Sequence, residues 1–113
     1  MTEKKFKEEI ELTLKELKSI LLVKGKEYRR NLNPFHNFEE GSKRTGLSRE
    51  KVLDGFLLKH EISIADITND LDNNILPTYE KVNEKFNDNL IYLLIKKASI
   101  IDKINNKNEV QTN

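Results

Sequence analysis

Glu84-Lys85-Phe86-Asn87-Asp88-Asn89-Leu90-Ile91-Tyr92-Leu93-Leu94 decides how the rest of the chain is read. Its apolar residues fall at helical spacing, and Val82, Phe86, Leu90, Leu93, Leu94, Ala98 and Ile101 extend them into the expected buried side of a helix over about 78–103. Glu84 and Asp88 are four residues apart, so on that helix their side chains lie one turn apart and point the same way. Carboxylates beside an apolar surface are costly unless something positive meets them. A divalent cation such as Mg²⁺, which favours carboxylates and phosphate oxygens, is one answer. A solvated face paired with nearby lysines is the other, and spacing alone leaves both open.

Working outward, two more long helices and one short one are expected. Phe6, Ile10, Leu14, Leu17, Leu21 and Tyr28 form one apolar stripe over about 3–30, with the charged residues mostly opposite. Asn33-Pro34 is turn chemistry, because proline lacks a donor and disfavours helix at the residue before it. A short helix is expected over 37–45, stopped by Gly46 in a left-handed conformation. Ser48 is a good N-cap, with Glu50 in the first turn of a helix running from Arg49 to about 69–71. Its Leu53, Leu57, His60, Ile64 and Ile67 form one stripe, beside a second containing Val52, Phe56, Lys59, Ser63 and Asp66. Gly55 offers room for a close approach by a helix or a ligand. Pro77 suits the start of the last helix. The expected fold is all-α: three main antiparallel helices plus one short helix, in a single domain over 1–104. A polar, asparagine-rich tail over 105–113 is expected to be disordered.

Hydrophobic residues make up 36% of the 113 and charged residues 35%, a balance that suits helices with heavily charged outer faces. So little apolar material per residue makes dimerisation a reasonable way to complete the core. The formal net charge of +1 argues against a general nucleic-acid binder, which needs a basic excess to displace counterions. The absence of cysteine excludes disulfides and thiolate metal sites. No apolar run approaches a membrane span or a signal peptide, so a cytoplasmic protein is expected.

Three further groups of residues invite a chemical reading. Lys59, Ser63 and Asp66 form a polar line with His60 beside it: a cation for phosphate, a hydroxyl for a hydrogen bond, a carboxylate for a metal or a ribose hydroxyl. An exposed polar face reads equally well. Lys24, Glu27 and Tyr28 would place a cation and an aromatic ring just before the Pro34 turn. Phe35-His36-Asn37-Phe38 sets rings around an amide, so that Asn37 reads a base edge and Phe38 stacks, or the two Phe plug a core. Neither a phosphate-binding glycine loop nor a hydrolase nucleophile motif occurs.

Taken in order, Lys24-Gly25-Lys26-Glu27-Tyr28, Asn33-Pro34-Phe35-His36-Asn37-Phe38, Lys59-His60-Glu61-Ile62-Ser63-Ile64-Ala65-Asp66 and Glu84 to Tyr92 resemble the phage-associated nucleotide modification associated domain family. That family is similar to the all-α MazG-type nucleoside triphosphate pyrophosphohydrolases, and the resemblance spans about 17–102. It implies a MazG-like bundle, a nucleotide as ligand and Mg²⁺ as cofactor. By position it implies Glu84 and Asp88 as the catalytic acidic pair, with Glu27 and Asp66 joining them around the metal. Lys24, Lys59 and Lys85 would neutralise phosphate, Tyr28, Phe38 or Tyr92 would stack on the base, and Asn37, His60 and Ser63 would line the site. Two departures stand out. The later acidic pair is Glu-x-x-x-Asp rather than Glu-x-x-Asp, and no Glu-x-x-Glu lies near Tyr28; Glu8, Glu9 and Glu11 are roughly 25 Å upstream along a helix. The competing expectation is therefore a non-catalytic phage factor that sequesters a signalling nucleotide or inhibits a host defence protein.

Overall fold

In the computed structural model, residues 1–23 and 32–112 are described, the last five of these by backbone alone. The described residues are helical throughout, with turns between helices and no strand. The chain divides into two compact units, Met1–Pro34 and Phe35–Asn113.

The first unit is built on α1 (Glu3–Lys18). Thr2 caps it by accepting from the Lys5 N–H at 3.1 Å, and Lys5–Glu9 (3.5 Å) and Lys7–Glu11 (3.9 Å) brace its exposed surface four residues apart. The helix runs on as a wider π-helical turn over Ser19–Val23. Residues 24–31, where the expected helix ends, lie outside the described residues. Of the predicted stripe, Leu17 is buried while Phe6, Ile10 and Leu14 are exposed. Leu32 has φ 57, a left-handed conformation that a branched residue adopts only at a cost, immediately before Asn33-Pro34.

The second unit holds α2 (His36–Thr45), α3 (Arg49–Asp72) and α4 (Tyr79–Thr112). Gly46 ends α2 at φ 74, its N–H reaching the Ser42 carbonyl at 2.9 Å. Ser48 caps α3 through the Lys51 N–H at 3.2 Å, so only the Gly46-Leu47-Ser48 link separates the two helices. α2 folds back on α3 so closely that a Cβ on Gly41 would sit 2.9 Å from a Val52 methyl. Thr78 caps α4 by accepting from the Lys81 N–H at 3.2 Å. α4 runs antiparallel to α3, as the pairs Glu50–Lys103, Asp54–Lys96 and Phe56–Tyr92 show.

Phe38, Leu53, Leu57 and Ile67 form the apolar core of this unit, as their spacing predicts. The inner side of α4 is a correction. Phe86, Leu93, Leu94, Ala98 and Ile101, expected to be buried, are exposed, whereas Asn87 and Ser99 are buried. Lys96 and Lys103 are drawn against α3 by Asp54 and Glu50, so ion pairs rather than apolar side chains face the N-terminal half of α3. α4 also continues helically to Thr112, past residue 105 where a disordered tail is expected. No glycine or proline falls between Lys103 and Thr112 to end it.

Candidate functional site

The second unit brings four rings together from three helices. Phe38 of α2 meets Phe56 edge-on at 5.6 Å and Tyr92 edge-on at 6.2 Å. Phe56 and His60 lie one turn apart on α3, and the Tyr92 ring of α4 inserts between them, stacked on Phe56 at 5.2 Å and on His60 at 5.0 Å. This follows from the sequence locally: residues four apart on one helix face form a slot one ring wide. Burial pushes the Tyr92 hydroxyl above its ordinary value of 10.0, and the negative charge of Asp88, one turn earlier on α4, pushes it the same way. The phenol is thus held neutral near a carboxylate.

Phe38 is the buried end of the cluster and Phe56 is its open end, 42% exposed. Beside Phe56 lies an open hollow of about 240 Å³ lined by Val52, Gly55, Phe56 and Lys59. A Cβ on Gly55 would meet nothing beyond its chain neighbours, so that glycine serves no helix contact; it lines the hollow beside Phe56. A flat apolar ring, an empty floor and an ammonium at the rim suit a planar group carrying negative charge.

The other predicted residues that the structure describes take up separate positions. Lys24, Glu27 and Tyr28 lie outside the described residues. Asn37 is exposed in the first turn of α2. Ser63 turns its hydroxyl back to the Lys59 carbonyl at 3.3 Å, and Asp66 is exposed two turns beyond Lys59. Glu84 is exposed with Lys85 at 3.9 Å, and Asp88 stands between that pair and Tyr92 in sequence. Among the described residues no group of three or more histidine or acidic side chains is placed to hold a metal ion. Glu84 and Asp88 thus stand on α4 as a pair, with no third acidic or histidine side chain grouped with them among the described residues.

Sequence reasoning passed over Phe56 as a site residue and treated it as one member of a stripe. The available signal was that Phe56, Lys59 and Ser63 stand in line on α3 with Gly55 next to the ring, an aromatic, a cation and a gap together.

A second polar assembly holds the other end of the α3–α4 pair. The Arg49 guanidinium donates to Ser99 Oγ at 2.6 Å, the Ser99 carbonyl at 2.9 Å, and Glu39, Glu50 and Asp102 at 3.2 Å each. It also lies 4.3 Å from the centre of the Phe35 ring. Burial pushes the Glu50 carboxyl up, but hydrogen bonds from Lys103, Ser99 and Arg49 outweigh it and hold Glu50 at about 2. With every Arg49 nitrogen engaged, the assembly is a clasp for three helices.

No helix among the described residues is long and apolar enough to cross a membrane. No family model matches the chain, and no curated protein or solved structure matches it either.

Proposed function

We propose that this chain is a nucleotide-binding protein acting as a homodimer, of the phage or prophage kind that its ordered motifs resemble. One observation carries the reading: the half-exposed Phe56 ring, backed by Tyr92 and His60, opens onto a hollow rimmed by Lys59. A nucleobase stacks on Phe56 over the space left by Gly55, and Lys59 meets the phosphates as they leave the hollow. Stacking of this kind contributes about 1–3 kcal/mol per base in single-strand binders, so the site is expected to bind a free nucleotide modestly unless further residues join it. Capture without turnover is the favoured form, since the hollow is open and the sequence lacks the Glu-x-x-Glu pair near Tyr28 that a MazG-type hydrolase uses. A bound nucleotide would then be sequestered or used as a signal.

The test is a panel of purine and pyrimidine nucleotides titrated into the purified protein, with and without Mg²⁺, recording bound ligand and product together. Binding weakened about tenfold or more by Phe56→Ala and by Lys59→Ala, with no product, supports the reading. Product formation abolished by Glu84→Gln would replace it with the Mg²⁺-dependent hydrolase that the MazG-like resemblance implies, in which Glu27 and Asp66 complete the acidic set. No binding of any nucleotide sinks both.

A further inference from the structure

α4 carries an apolar stripe on the flank beside the face it turns to α3. Its seam runs Phe86, Leu90, Leu93, Lys97, Ile100 and Ile104, at alternating spacings of four and three, with Leu94 and Ile101 alongside. Such spacing is the heptad pattern of helices that pair through one narrow face. Yet Phe86, Leu93, Leu94, Ile100, Ile101 and Ile104 are each between 42% and 53% exposed. The side toward α3 instead carries Lys96, Ser99 and Lys103 in ion pairs and hydrogen bonds. A half-exposed flank more apolar than the face packed on α3 is the reverse of a solvated surface helix.

We propose that this face of α4 is the homodimer interface, formed by two copies of α4 packed antiparallel with the two-fold axis level with Ile95. The proposal rests on the homodimer part of the functional reading and says which surface makes it. The spacing is the same read in either direction, so an antiparallel partner sets Phe86 opposite Ile104, Leu90 opposite Ile100 and Leu93 opposite Lys97. In a parallel pair each Lys97 would meet its own copy in the middle of the seam, with like charges together. Opposite Leu93, its stem instead covers apolar surface while the ammonium runs to solvent.

Area points to the same occupant. At roughly 180 Å² for a large apolar residue, the six half-exposed side chains leave about 500 Å² open on each copy. A patch of that size is ordinary as the largest on a monomer, and such patches often serve binding. Covering it on both copies removes about 1,000 Å², the lower bound of a specific interface, so the dimer is expected to dissociate measurably on dilution. A net charge of +1 sets little repulsion against pairing.

The experiment uses the full chain, whose lack of cysteine makes any introduced thiol unique. Light scattering across a dilution series is expected to show a dimer giving way to monomer, and Leu93→Glu to give monomer at all concentrations with unchanged helical circular dichroism. Phe86→Cys and Ile104→Cys, mixed and treated with a short bismaleimide, should cross-link to each other, while neither cross-links to itself, because like positions lie roughly 27 Å apart in the antiparallel pair. A monomer at every concentration overturns the homodimer reading along with this interface. A dimer that survives Leu93→Glu, or that cross-links Phe86→Cys to itself, keeps the homodimer and overturns the antiparallel α4 seam.

Discussion

Arg49 and Ser99, fifty residues apart, are joined twice: the guanidinium donates to the Ser99 hydroxyl at 2.6 Å and to its carbonyl at 2.9 Å. Ser99 is fully buried, so these groups have no water to fall back on. The pair sets the register of α3 against α4, and with it the level at which Tyr92 enters between Phe56 and His60.

Removing the guanidinium strands these partners. Arg49→Ala is expected to cost about 2–4 kcal/mol, since it leaves a buried acceptor and the Glu50 carboxylate under-satisfied. Arg49→Lys should recover less than half of that, because a single ammonium cannot serve Ser99, Glu39 and Asp102 from one position. Urea unfolding of the two variants measures both numbers, and an Arg49→Lys protein as stable as the parent would refute the clasp.

Glu50 makes stability depend on acid. Its folded carboxyl titrates at about 2 against an ordinary 4.5, so between those values the unfolded chain binds the proton first. The stabilisation is complete above about 4.5 and is lost as pH falls toward about 2. Glu50→Gln should flatten that part of the stability–pH curve while lowering the plateau at neutral pH. Thermal melts taken at steps between pH 5 and pH 2 check it.

Tyr92 should report on Asp88 from the alkaline side. In a protein whose other tyrosines, Tyr28 and Tyr79, are changed to Phe, absorbance titration should place the phenol above 10.0. Asp88→Asn should move it down without returning it to 10.0, because burial is the larger cause. Stability falls as pH rises from the ordinary value through the raised one, since only the unfolded phenol ionises readily there. An unshifted phenol would remove Tyr92 from the half-buried slot.

Gly41 tests the approach of α2 to α3. Alanine there gains about 1 kcal/mol of helix propensity but presses its methyl 2.9 Å from Val52, an overpacking worth about 1–3 kcal/mol. Gly41→Ala is therefore expected to be neutral to destabilising in the parent and stabilising by about 1 kcal/mol in a Val52→Ala background. A double-mutant cycle reads the sign change; additive effects would mean the helices are not in contact at that point.

Much of the local structure was legible because its causes are local. Gly46 can turn left-handed where other residues resist, Ser48 carries an oxygen for an orphan N–H, and Leu53, Leu57 and Ile67 recur on one face whatever surrounds them. They place the end of α2 and the start of α3. The end of α4 was not legible in the same way, because asparagine-rich polarity lowers helix propensity without supplying a stop.

The site divides along the same line. Lys59, His60, Asp88 and Tyr92 are visible as residue types at helical spacing. Phe56 becomes part of their site only because Tyr92, thirty-six residues later, enters beside it. Likewise, the apolar face of α4 was plain in the pattern, but not which side of it would meet α3. Periodicity says that a stripe needs covering. It carries no information about what does the covering, and here Lys96 and Lys103, rather than that stripe, meet the N-terminal half of α3. Local chemistry settles where helices begin and which residues share a face; which faces meet depends on contacts between residues far apart in the chain.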